Sequence, residues 1–166
     1  MSDALLPGPL SSVPPLAERL LPGQRLARGV CRHLRGLDFA ALIEFAPTPA
    51  LRVDVMALGP RGEIWIVECK SSRMDYVSDQ KWGGYLEWCD RFFWAVDLAF
   101  PTEILPGDAG VIVADAHDAE IQRWPEARAL PGARRRALTL RFARAASGRL
   151  GQILDSDQSR AGPVCP

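Results

Sequence analysis

The sequence predicts a single α/β domain, and three observations predict it. Two alternating apolar stretches, Leu51–Leu58 and Gly62–Lys70, flank a Gly- and Pro-containing connection, as in an antiparallel hairpin. Apolar residues recur at helical spacing through Gly23–Leu37 and again through Arg134–Leu150. Short apolar runs at Arg91–Val96 and Gly110–Ala114 have the length of buried strands. At 166 residues the chain is long enough for one well-buried core and short for two.

Composition narrows the classes. Apolar residues make up 48% and charged residues 24%, ordinary for a globular protein. No apolar run is long enough to cross a membrane, and no membrane partner is expected. The N-terminus lacks a basic segment and is broken by prolines, so no signal peptide is expected. Cys31, Cys69, Cys89 and Cys165 show no paired spacing. They suggest neither a zinc site nor a disulfide framework and fit a reducing, cytoplasmic setting. Net charge is zero, so any case for nucleic-acid binding rests on local clustering. The chain has 18 Arg and two Lys, Lys70 and Lys81, both near the chemistry described below.

In chain order, residues 1–22 carry five prolines and no period, which predicts a disordered arm. In the helix Gly23–Leu37, Leu26, Val30, Leu34 and Leu37 make a buried stripe. Arg25, Arg28, Arg32 and Arg35 make a row on roughly the opposite side, with no interleaved acid. Such a row is either a solvated basic surface or a contact for phosphates. Ala40–Ala46 reads as a first strand ended by Pro47, with Glu44 either facing water at an edge or serving as an extra acid.

The next two strands carry the chemistry. In Leu51–Leu58, alternation puts Leu51, Val53 and Val55 on one face and Arg52, Asp54 and Met56 on the other. In the second strand Ile64, Ile66, Glu68 and Lys70 share a face. With a five-residue loop, Gly59–Glu63, Asp54 falls opposite Glu68. Two neighbouring carboxylates repel unless a cation lies between them, and oxygen-only ligands suit Mg²⁺ or Mn²⁺. Lys70 lies one pleat further, in reach of a water or a phosphate. A simple Glu68–Lys70 ion pair at a strand end is the plainer alternative.

Ser78–Arg91 reads as a second helix with Trp82, Tyr85, Cys89 and Phe92 as its apolar stripe. Gly83-Gly84 costs about 1 kcal/mol per residue there, which suggests a close approach to another backbone or to a ligand. Lys81 and Tyr85, one turn apart, either hold a phosphate or belong to the packing. Asp75 and Asp79 read as turn or helix-start residues. Arg91–Val96, Gly110–Ala114 and Glu120–Trp124 read as strands. Arg134–Leu150 reads as a helix that buries Leu138, Phe142 and Ala145, although Leu138–Phe142 also alternates. Residues 151–166 revert to Gly, Ser, Asp and Pro and are expected to be a disordered tail.

This order of elements, with Asp54…Glu68-Cys69-Lys70 on successive strands, resembles the PD-(D/E)xK superfamily of nucleases. The stretches Leu51–Leu58, Gly62–Ser72, Asp79–Trp82, Trp88–Phe93 and Ala137–Arg144 are similar to the MmcB-like family of bacterial DNA-repair proteins. The resemblance covers residues 23–150. It implies a restriction-endonuclease-like fold, a central mixed sheet flanked by helices. It implies DNA as partner, Mg²⁺ or Mn²⁺ as cofactor and phosphodiester hydrolysis as reaction. Asp54 and Glu68 would hold the metal, joined by the Cys69 backbone carbonyl and by Glu44 as the additional upstream acid. Lys70 would act on the water or the phosphate, and Lys81 and Tyr85 resemble a supporting helix motif, with Gln80 one residue early. The arginines of the first helix would track the DNA backbone. A DNA-binding repair accessory without turnover is the alternative. A homodimer or a repair-protein partner is left open.

Overall fold

The computed structural model describes residues 19–79 and 81–160. The arm up to residue 18, Gln80 and residues 161–166 lie outside the described residues. Helix α1 (Pro22–Gly36) begins at a proline, whose missing amide donor and fixed φ suit a first helical position. The Gln24 side chain accepts the Leu21 amide and closes that first turn. Strands β1 (Ala40–Thr48), β2 (Leu51–Leu58) and β3 (Ile64–Lys70) follow as an antiparallel meander. Short helix α2 (Arg73–Ser78) and a 3₁₀ segment (Trp82–Trp88) then carry the chain across to β4 (Arg91–Val96). β5 (Gly110–Ala114), β6 (Ala119–Arg123) and helix α3 (Gly132–Arg160) complete it.

One six-stranded mixed sheet results, ordered β1-β2-β3-β4-β5-β6. β3, β4 and β5 run parallel, and β6 returns antiparallel on β5. Parallel neighbours need a crossover, and α2 with the 3₁₀ segment supplies the one between β3 and β4. Helix α1 covers one face, burying Leu26, Val30 and Leu34 against Val55, Val67, Phe93 and Ile112. Helix α3 covers the other, burying Leu138 and Phe142 with Phe45, Met56, Ile66 and Trp94. Gly29 sets how closely α1 can lie: a Cβ there would collide with the carbonyl oxygens of Asp115 and Asp118 in the β5–β6 turn.

Four expectations are corrected. The helix foreseen over Ser78–Arg91 does not form. Ser72 accepts the Asp75 amide at 3.1 Å and so starts α2 earlier, and α2 ends at Ser78. Gly83 and Gly84 sit in the 3₁₀ segment with nothing close to Gly83 and only Leu51 near Gly84, so neither marks a close approach. Residues 151–160, expected to be disordered, instead continue α3 to Arg160, with Leu150, Ile153 and Leu154 at helical spacing. β1 passes through Pro47 to Thr48, tolerated because β1 is an edge strand. No helix among the described residues is long and apolar enough to cross a membrane.

Candidate functional site

The β2–β3 hairpin has the expected register. Leu58 pairs with Ile64 and Val55 with Val67, which leaves Gly59–Glu63 as the loop and puts Asp54 beside Glu68. At that point side chains replace the backbone ladder. The Asp54 amide donates to Glu68 Oε1 at 3.1 Å, and the Cys69 amide donates to Asp54 Oδ2 at 2.7 Å. Each carboxylate thus caps the other's strand.

Plain alternation does not hold on β2. Val55 and Ala57 face α1, whereas Val53 lies with Met56 in the core facing α3. The phase inverts at Asp54, so Val53 and Val55 do not share a face as expected. Across from this kink, between the pairs Ile43–Val55 and Phe45–Val53, Glu44 adopts a left-handed φ of 47°. Such local irregularity re-aims side chains, and here it leaves Asp54 on the wall of a cavity beside α1.

Electrostatics make the acid pair unusual. Burial raises the Asp54 pKa, and Asp75 and Glu44 add to that, against the Cys69 amide and Lys70. Glu68 is 4% exposed. Burial, followed by the Asp54 charge, pushes it up from 4.5 to about 8. Lys70 does not neutralise the pair directly. Its Nζ lies 2.7 Å from Asp79 and 4.0 Å from Asp75, and 5.8 Å from the centre of the Trp94 ring. Burial disfavours the ammonium, but the hydrogen bond and charge of Asp79 outweigh it and raise the pKa. Burial opposes ionisation of Asp79 too, yet Lys70 and the Lys81 amide hold its carboxyl below the usual range.

The other expected residues separate. Glu44 lines the cavity with Asp54 and helps raise its pKa, but its half-exposed carboxylate turns to Arg52 at 3.6 Å. Among the described residues no group of three or more His, Cys, Asp or Glu is placed to hold a metal ion. Lys81 is exposed, while the Tyr85 hydroxyl is turned onto the Arg52 carbonyl at 3.2 Å. Burial, with the nearby acids, pushes Tyr85 up to about 12. Lys81 precedes the 3₁₀ segment and Tyr85 lies within it, so the α-helix expected to set them one turn apart is absent. The Cys69 thiol is buried against α1 and its pKa is raised by that burial. Since a strand residue's amide and carbonyl point to the same edge, the Cys69 carbonyl faces the β2 side along with its amide.

The arginine row divides. Arg28, Arg32 and Arg35 line the cavity, of about 800 Å³, together with Asp54 and Glu44. Arg25 instead donates to the Leu20 carbonyl at 3.1 Å. Arg149 of α3 lines the same cavity and donates to the carbonyls of Ile43 and Glu44 at 2.6 and 3.0 Å. Sequence reasoning missed Arg149 and Asp79. Arg149 is 105 residues from Glu44 and carries no local signal; Asp79 was visible but read as a turn residue.

A buried Glu68 and a half-buried Asp54 whose ionisation is suppressed, beside a lysine committed elsewhere, form a donor set lacking a positive charge. Mg²⁺ commonly binds through one or two carboxylates while keeping several waters, so Asp54 and Glu68 fit a hydrated divalent cation.

No curated protein matches the chain significantly. A solved structure of SPO1766, a protein of unknown function from Silicibacter pomeroyi, superposes with a TM-score of 0.81 at 57% identity. The match covers 83% of this chain and 94% of that one. The model of the DNA repair protein MmcB-like family matches residues 15–157. This chain therefore belongs to the MmcB-like family of DNA-repair proteins.

Proposed function

We propose that the protein is a divalent-metal-dependent DNA nuclease with a restriction-endonuclease-like fold. The observation that carries the reading is the interlocked Asp54–Glu68 pair, with both carboxyls raised above their ordinary pKa. A pair serving only to hold two strands together would gain nothing from suppressed ionisation. A cation would convert it into a stable anionic site.

Phosphodiester hydrolysis adds water to phosphorus, breaks a P–O bond and returns a proton to the leaving hydroxyl. Asp54 and Glu68 would hold Mg²⁺ or Mn²⁺, with the Cys69 carbonyl as a further protein ligand. When bound, the cation would supply Lewis acidity at the phosphoryl oxygens. Lys70, kept protonated by Asp79, offsets charge developing on those oxygens rather than removing a proton from water. The cavity arginines hold the strand by its phosphates.

The test is incubation of the protein with flap, junction, abasic and linear DNA, with Mg²⁺, Mn²⁺ or chelator. Metal-dependent products that vanish in Asp54→Asn support the reading. No cleavage of any substrate, and no Mn²⁺ uptake at millimolar concentration, refutes it. One observation favours a second reading, a DNA-binding repair accessory. Lys70 is already satisfied by Asp79, and each acid by a backbone amide, an arrangement that stands without metal.

A further inference from the structure

We propose that the cavity between α1 and the C-terminal half of α3 is a binding site for single-stranded DNA, with phosphates contacted by Arg28 and Arg149. The inference deepens the reading above and rests on it for the identity of the ligand as DNA.

Uncompensated charge is the first support. Among the described residues, no carboxylate lies within ion-pair distance of Arg28, Arg32, Arg35 or Arg149, whereas Arg52, Arg61, Arg128, Arg134 and Arg135 all have one. Arg28 goes further: its Nη1 is buried and has no hydrogen-bond partner among the described residues. A buried guanidinium nitrogen without an acceptor is costly, and Arg28 lies on the cavity wall. A phosphate oxygen is an acceptor of the chemistry it lacks.

The second support is the mixture of surfaces. The cavity sets these guanidiniums beside apolar side chains, Ile43, 49% exposed, and Leu20. Duplex DNA turns phosphates and sugars outward and keeps its bases stacked, so an apolar wall behind a basic row finds nothing to bind. A single strand offers phosphates and unstacked base faces together. Asp54 lines the same cavity, and its amide is hydrogen-bonded to the buried Glu68. A strand entering the cavity meets the acid pair at Asp54, and a separated strand does so without the cost of opening a duplex.

The two arginines come from helices that the fold brings together from opposite faces of the sheet, Arg28 from α1 and Arg149 from α3. Arg149 also ties α3 to the kinked edge strand through the Ile43 and Glu44 carbonyls. It is therefore held beside the residue opposite Asp54.

The experiment measures binding, with chelator present so that cleavage plays no part. Fluorescence anisotropy compares a labelled strand with the same strand annealed to its complement. Proteins are wild type, Arg28→Gln, Arg149→Gln and, as a charge-matched control, Arg136→Gln on an exposed part of α3. The expected result is binding of the single strand about tenfold tighter than the duplex. Arg28→Gln and Arg149→Gln should each weaken it about fivefold and lower the salt slope by about 0.7, with Arg136→Gln unchanged. Thermal melts verify folding, and the partly exposed Arg149 serves if Arg28→Gln is unstable. Equal or tighter duplex binding overturns the inference, as does a loss in both cavity variants no larger than in Arg136→Gln. Strand binding without cleavage under any metal would retain this site and refute only the nuclease. Metal-dependent cleavage with duplex-preferring binding would do the reverse.

Discussion

Replacing Glu68 with Gln should change how stability depends on pH, not merely its level. In the folded chain Glu68 is shifted from 4.5 to about 8 by burial and by the Asp54 charge. The folded state therefore keeps a proton that the unfolded state has released. Stability associated with this group is fully present below pH 4.5 and is lost as pH rises through about 8. The gap of about 3.5 pH units, at about 1.36 kcal/mol each, sets a ceiling near 5 kcal/mol. Gln has nearly the same shape, still accepts the Asp54 amide and never ionises. Urea denaturation in chelator should thus find wild type and Glu68→Gln similar near pH 5 and the variant more stable by several kcal/mol near pH 9. Other groups are common to both proteins and cancel in the difference. Mn²⁺ should then restore wild type at high pH, by about 1.4 kcal/mol at tenfold excess over its Kd, and leave the variant unmoved. Parallel pH curves for the two proteins would refute the buried-acid reasoning.

Lys70→Ala should leave Mn²⁺ affinity unchanged or slightly higher, since a nearby positive charge is lost, while abolishing cleavage; calorimetric titration and a cleavage assay separate the two effects. Asp90→Ala removes the acceptor for the Ile64 and Leu130 amides and for both Arg135 nitrogens, at 2.6–3.0 Å. It should lower stability by about 3 kcal/mol in denaturant melts. Burial opposes Asp90 ionisation, but Arg135 and these amides outweigh it and lower its pKa. Its stabilisation is present above pH 3.8 and lost as pH falls through the lower folded value, so wild type and variant should converge in acid. Gly29→Ala must push α1 off the β5–β6 turn. A loss of about 1–3 kcal/mol in thermal or denaturant melts is expected, together with weaker strand binding as the Arg28 wall shifts.

The hairpin register was determined by sequence alone: a five-residue loop and period-two alternation place Asp54 beside Glu68, and the structure pairs Val55 with Val67 accordingly. The strands Arg91–Val96 and Gly110–Ala114 were equally legible, because each is a bounded apolar run. So was the buried stripe of α1, whose period is local. The tertiary structure decided the rest. Interruption of the segment after β3 depended on Ser72 starting α2 early, one of several competing starts in a polar stretch. The kink at Asp54 required Glu44 across the strand, and alternation carries no signal of a partner's backbone angle. Lys70 took Asp79 as its partner, and the Arg25–Arg35 row was split between a carbonyl and a cavity. Arg149 joined that cavity from a helix 105 residues beyond Glu44. Periodicity records which side of an element is apolar; which charged groups meet depends on how whole elements dock, and no local pattern encodes that.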